Sequence, residues 1–80
     1  SEGNQADQQL AVTTWTDVAR KSRPGTARWF RAHAGLAAAQ LKLGKRADAR
    51  ATIEHVFAKF PSLDGELKAR FDALSAKAGR

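Results

Sequence analysis

Apolar residues recur at spacings of three and four along most of the chain. One such stripe runs through residues 29–43 and a second through 46–60, with Gly44 between them and Pro61 directly after the second. This spacing predicts helices rather than strands, because helical side chains return to one face about every 3.6 residues. Gly44 can adopt the left-handed conformation that ends a helix, and Pro61 cannot continue one. The pattern therefore predicts a helical hairpin with a short turn.

Two further apolar stripes lie on either side of this hairpin. The first precedes Pro24, and Thr26 after it is a predicted N-cap for the next helix. The second follows Pro61, with Asp64 as its predicted N-cap and Gly79 as its predicted stop. Residues 1–5 are polar and aperiodic, which predicts a disordered tail. We therefore expect an all-α fold of about four helices packed as antiparallel neighbours, near residues 6–22, 27–43, 46–60 and 64–78.

Four positions of the hairpin give it a resemblance to a known repeat. With Pro61 taken as a closing proline, Leu36, Gly44 and Ala49 occupy the leucine, turn-glycine and small-residue positions of a tetratricopeptide repeat. That repeat is a helix-turn-helix unit that recurs at a fixed period along the chain. The resemblance implies that Ala49 is the place where the two helices of the hairpin approach each other.

The resemblance is incomplete at two positions of the first hairpin helix. His33 stands where tryptophan is common in the family, and Gln40 stands where tyrosine is common. Trp29, one turn before His33, is expected to supply the missing bulk. The resemblance implies hairpins stacked as a short α-α superhelix, with a partial repeat at 6–24, a full repeat at 27–61 and a capping or next-repeat helix at 64–78.

A tetratricopeptide-like module implies a non-catalytic role in binding a peptide or a partner helix. In this family the ligand usually lies in the groove formed by the first helix of each repeat. Two of the positions with which family members clamp a terminal carboxylate are alanines here, which argues against that mode of binding. Basic residues at the rim instead favour a partner of acidic character. The expected partner-binding residues are Arg31, Ala34, Ala38, Leu41, Lys42 and Lys68.

The charge of the chain is basic and unevenly distributed. The formal net charge is +6, and residues 20–50 hold nine basic side chains against one acidic side chain, Asp48. Such a segment attracts anions over about a Debye length, roughly 8 Å at physiological salt. It leaves two alternatives open: a basic helical domain that binds nucleic acid, and a structural or oligomerisation segment of a larger solenoid. In the second case the chain is expected to form a homodimer through an exposed solenoid end.

The sequence offers little material for catalysis or for holding a cofactor. It has no cysteine, and its two histidines, His33 and His55, are far apart along the chain. No serine lies in a nucleophile-elbow context, and no glycine-rich phosphate loop is present. We therefore expect no enzymatic activity, no metal and no cofactor.

The sequence also shows no segment that would direct the chain to a membrane. No apolar run approaches the length that a transmembrane helix needs, and no signal peptide is apparent. The chain contains no methionine, even at its start, and is therefore expected to be a processed or excised piece of a longer protein. The sequence does not indicate a compartment.

Overall fold

The computed structural model describes residues 2–79, with side chains from residue 6 onwards. Over this range the chain is all-α, as predicted, and forms four helices. The predicted boundaries of the second, third and fourth helices are correct to within one residue at each end. The helices are α1 (Glu2–Lys21), α2 (Ala27–Lys42), α3 (Arg46–Lys59) and α4 (Gly65–Ala78).

The start of α1 differs from the prediction. The predicted disordered tail at 1–5 is wrong for residues 2–5, because α1 already begins at Glu2; Ser1 lies outside the described residues. Once a helix has been nucleated, each added residue gains one backbone hydrogen bond, so a helix can extend beyond the apolar positions that hold it. The predicted start depended on the apolar positions of α1, and these positions do not indicate how far the helix extends beyond them.

The helix ends are set partly by the expected residues and partly by others. The Thr26 hydroxyl accepts a hydrogen bond from the Trp29 amide at 3.2 Å, so Thr26 caps α2 as predicted. Gly44 has φ +78° and ends α2 in the predicted left-handed conformation. Asp64 occupies the predicted N-cap position of α4, but its side chain makes no cap hydrogen bond. Gly65 follows it with φ +68°, so the entry into α4 also uses a glycine.

Helix α2 lies at the centre of the fold. Within the described residues, α1 packs against α2 alone, whereas α4 packs against both α2 and α3. The largest fully buried side chains come from α3 and α4, and they belong to one apolar cluster with Trp29 and Phe30 of α2. The core therefore forms around one helix, and its fully buried large members are Phe71, Ile53 and Val56.

Aromatic rings fill the part of this core near the start of α2. Trp29 and Phe30 are buried, and both rings lie about 5 Å from the ring of Phe60 at the end of α3. Phe30 also meets Phe71 of α4 in an edge-to-face arrangement. Each buried aromatic ring removes roughly 150–250 Å² from water, so these contacts dominate the apolar burial. They hold α3 and α4 against the first turns of α2.

Small residues allow the hairpin helices to approach each other further along. Ala37 of α2 and Ala49 of α3 are both completely buried, which agrees with the position predicted for Ala49. Gln40 and Thr52 connect the same two helices. The Thr52 hydroxyl donates a hydrogen bond to the Gln40 side-chain oxygen at 2.8 Å. Gln40 therefore joins the hairpin by a polar contact where tyrosine would join it by packing.

The contact between α1 and α2 depends on a glycine in the middle of α2. A Cβ placed on Gly35 would lie 2.4 Å from the Cε2 atom of Trp15, which is closer than real Cβ atoms approach other atoms. The indole ring of Trp15 therefore rests directly on the backbone of α2. Because α1 has no other helix to pack against within the described residues, its position depends on its interface with α2, of which this contact is the tightest part in view.

We predict that Gly35→Ala loosens α1 although alanine favours the helix. The substitution gains about 1 kcal/mol of helix propensity, but it forces the Trp15 ring off the helix, and overpacking of this kind costs typically about 1–3 kcal/mol. The free energy of unfolding should fall by about 1 kcal/mol as the balance of these two effects. Amide hydrogen exchange should accelerate mainly in α1. The two quantities are measured by urea denaturation and by exchange mass spectrometry.

The double variant Gly35→Ala with Trp15→Leu supplies the control for this prediction. A smaller side chain at residue 15 leaves room for the new methyl group, so the second change should cost less in the Gly35→Ala background than in the natural chain. If Gly35→Ala were at least as stable as the natural chain, with unchanged exchange in α1, the tight contact with Trp15 would not exist in solution.

Candidate functional site

A groove lies between α2 and α4 on the described surface. Its larger part is a cavity of about 640 Å³ whose floor and sides come from three helices. Helix α2 contributes mostly small residues, α4 contributes one face of its middle turns, and α1 contributes one tryptophan. The residues that line this part are Trp15, Arg31, Ala34, Gly35, Ala38, Arg70, Ala73, Leu74 and Lys77.

The groove continues past the last turns of α2. A second cavity of about 280 Å³ shares Ala38, Leu74 and Lys77 with the first, and adds Leu41, Lys42 and Arg46. Across the two cavities the earlier residues of α2 lie opposite the earlier residues of α4, so the two helices run side by side in the same direction. We call the two cavities together the α2–α4 groove.

The lining of this groove is apolar at the bottom and entirely basic at the edges. It contains five cationic side chains and no acidic side chain. Within the described part of the chain, Arg31, Lys42, Arg70 and Lys77 form no ion pair, since the described ion pairs involve other residues. These four side chains therefore present positive charge that the described part of the chain does not neutralise. The fifth cation of the lining is Arg46.

Five of the six predicted partner-binding residues line this groove. On α2, Arg31, Ala34 and Ala38 line the larger cavity, and Leu41 and Lys42 line the smaller one. The structure therefore brings together all of the α2 positions that the tetratricopeptide resemblance implied. Whether they bind a partner is a separate question from their position.

The sixth predicted residue, Lys68, lies outside the groove. It lines neither cavity, and its ammonium group pairs with Asp72 at 2.6 Å on the exposed surface of α4. Lys68 was predicted because it lies one tetratricopeptide period, about 34 residues, after Ala34. The same period after Ala27, the first residue of α2, gives Pro61 as the first residue of the next helix, whereas α4 begins only at Gly65. Because α4 starts later than the period predicts, a different face of α4 points towards the groove.

The α4 residues that do line the groove repeat the spacing found on α2. Arg70, Ala73, Leu74 and Lys77 follow one another at the same intervals as Arg31, Ala34, Gly35 and Ala38, which also line the larger cavity. Every face of a helix has this spacing, so the only signal in the sequence is the arginine followed three residues later by an alanine in both helices. The contribution of Trp15 carries no such signal, because it depends on how α1 packs.

The groove lining suits anion binding better than acid–base or nucleophilic chemistry. Its side chains are guanidinium, ammonium, indole and hydrocarbon groups. None of these accepts a hydrogen bond, and the lining has no hydroxyl, carboxylate or imidazole group. Guanidinium groups form paired hydrogen bonds with carboxylates and phosphates, so an anionic ligand fits this lining.

The two histidines lie together, away from this groove. His33 of α2 is buried, and its ring stacks on the ring of His55 of α3 with 5.6 Å between centroids. The Nδ1 atom of His33 donates a hydrogen bond to the Trp29 carbonyl at 2.9 Å, and the His33 and Trp29 ring centroids lie 4.0 Å apart. Trp29 thus packs beside His33 as expected. In the described residues no three potential ligands converge on a metal ion.

Comparisons with protein-family models, curated proteins and solved structures give no significant match to this chain. Among the helices of residues 2–79, none combines the length and the apolar character needed to cross a bilayer. The geometry of the groove and of the histidine pair is therefore the basis for any functional assignment.

The buried position of His33 predicts a dependence of stability on pH. Burial lowers the pKa of His33 below its ordinary value of 6.5, and His55 lowers it further, although the hydrogen bond to Trp29 opposes the shift. The unfolded chain therefore takes up the proton first, and stability is lost as the pH falls below about 6.5. His33→Gln should flatten the pH profile of the unfolding free energy between pH 8 and pH 5.

The matched control is His55→Gln, which changes the exposed member of the pair. Because burial is the main cause of the His33 shift, this variant should keep most of the pH dependence. Equal pH profiles for the natural chain and His33→Gln would show that His33 is not held neutral by the fold.

Proposed function

We propose that this chain is a non-catalytic protein-interaction module, and that it binds an acidic peptide or partner helix in the α2–α4 groove. The observation that carries this proposal is the set of four groove cations that form no ion pair within the described structure. An exposed apolar cavity rimmed by charge of one sign is a common feature of sites that bind other molecules.

The two parts of the groove lining make different contributions to such binding. Apolar contact with the floor supplies most of the affinity, because burial of apolar surface yields roughly 25 cal/mol per Å². The cations at the rim remain solvated and add less to affinity, but they steer acidic partners towards the groove and exclude basic ones. In the proposed site, the cations at the rim therefore select acidic partners, and the apolar floor supplies most of the binding free energy.

The helix arrangement supports a tetratricopeptide-like architecture as part of this proposal. Helix α4 packs against both helices of the preceding hairpin, and α1 packs against the first of them. Stacked repeats contact their neighbours in this way, and their concave surfaces bind ligands. The small residues Ala34, Ala38 and Ala73 keep the proposed binding surface open.

We predict that Arg31→Glu combined with Arg70→Glu weakens binding at least tenfold, equivalent to about 1.4 kcal/mol. These residues lie at the same end of the groove on opposite sides. The test begins with selection of binding peptides from a random displayed library on the natural chain. Affinities of the selected peptides for the natural chain and the variant are then measured by fluorescence anisotropy at physiological salt.

A charge-matched control is available in the loops. Arg23→Glu with Lys45→Glu changes the net charge equally, but neither residue lines the groove. Selected peptides should be rich in Asp and Glu and should bind this control almost as well as the natural chain. Equal losses in both variants would indicate general attraction to a basic surface, as a nucleic-acid-binding domain would show. No loss in the groove variant would place the binding site elsewhere.

A further inference from the structure

The hydrogen-bonding capacity of the groove restricts the conformation of its ligand. Arg and Lys side chains and the Trp15 indole can only donate hydrogen bonds. The remaining lining side chains are Gly, Ala and Leu, and the backbone carbonyls in the middle turns of α2 and α4 are engaged within their own helices. Along these middle turns the groove therefore offers no acceptor for a backbone N–H group of a bound peptide.

An extended peptide would bury its backbone N–H groups in this groove without partners. An unsatisfied buried polar group is costly, because it loses its hydrogen bonds to water and gains none in return. A helix avoids this cost because its backbone groups bond to each other. The small alanine side chains of the floor also allow the backbone of another helix to approach closely. The lining thus favours a helical ligand over an extended one.

The positions of the cations set the spacing of acidic residues on such a helix. On α4, Arg70 and Lys77 are seven residues apart, about 10 Å along the axis at roughly 1.5 Å per residue. On α2, Arg31 and Lys42 are eleven residues apart, or about 16 Å by the same rise. Residues i, i+7 and i+11 of a ligand helix lie on one face with the same separations.

Between the two charged ends, the larger cavity has room for an apolar side chain. Its walls there are the Trp15 ring, the Gly35 backbone and the Leu74 side chain, with Ala34 and Ala73 beside them. An aromatic or leucine side chain would fill it and contact Trp15 directly. On the ligand helix, this anchor corresponds to position i+4, one turn after the first acidic residue.

We propose that the ligand of the α2–α4 groove is a helix with acidic residues at i, i+7 and i+11 and a large apolar residue at i+4 on the same face. This inference rests on the proposed function and specifies its partner. The acidic side chains meet the cations at the two ends of the groove, and the apolar side chain enters the cavity against Trp15. Trp15 thereby contacts the proposed ligand as well as packing α1 against α2.

The test uses an alanine- and glutamine-based peptide of about 18 residues with blocked ends, a length at which isolated helices begin to be stable. It carries Glu at i, i+7 and i+11 and Phe at i+4. Three matched peptides differ by one feature each: Phe replaced by Ala, Phe moved to the opposite face at i+2, and two outward-facing alanines replaced by Pro to prevent helix formation. Binding to the whole 80-residue chain is measured by calorimetry, with amide chemical shifts to locate the site.

The designed peptide should bind with shifts confined to the groove residues, and each matched peptide should bind at least tenfold more weakly. The Arg31→Glu with Arg70→Glu variant should bind the designed peptide more weakly by a similar factor.

Two results would show that the ligand is not helical while leaving the proposed function in place. One is equal binding of the proline peptide that still depends on the groove arginines. The other is failure of the designed peptide when library-selected peptides bind in the groove. If no peptide of either origin depends on the groove arginines, the proposed function fails as well.

Discussion

The close approach of three helices to α2 is the constraint on which the rest of the structure depends. A helix that is contacted on several sides must offer each neighbour a different surface. In α2 the large rings of Trp29 and Phe30 meet α3 and α4 near its start, and the buried Ala37 lies further along. Gly35 contacts Trp15 of α1, and even a methyl group at residue 35 would be too large for this contact. The order of large and small residues along α2 therefore determines how near each neighbour lies.

The elements that follow from local chemistry were predictable from the sequence. Apolar spacing identified all four helices, since the period of about 3.6 residues depends only on neighbours along the chain. The roles of Thr26 and Gly44 followed from cap chemistry in the same way. Gly35 shows where this reasoning ends. By sequence it is a weak position within a helix, and only its contact with Trp15 on the preceding helix explains it.

The two sides of the groove differed in how well the sequence predicted them. On the α2 side, all five residues named from the sequence line the groove. The α4 side depends on the segment between α3 and α4, whose length sets which face of α4 points inwards. Helix α4 starts four residues later than a strict repeat predicts. Each residue turns a helix by about 100°, so four residues turn it by one full turn plus about 40°. Packing of Phe71 and Ala78 into the core then fixes that rotation, with Lys68 outside the groove.

Arg31, Lys42, Arg70 and Lys77, which form no ion pair among the described residues, would connect stability to binding of the proposed partner. In the free chain they repel each other, and because they lie at the rim they contribute no core packing that would offset this repulsion. Salt screens the repulsion, but it equally screens the attraction of an acidic partner. If the proposed acidic partner binds, its carboxylate would relieve the repulsion at a fixed place and would stabilise the folded chain by mass action as well. Without a partner, the aromatic core around α2 has to offset the repulsion among these cations by itself.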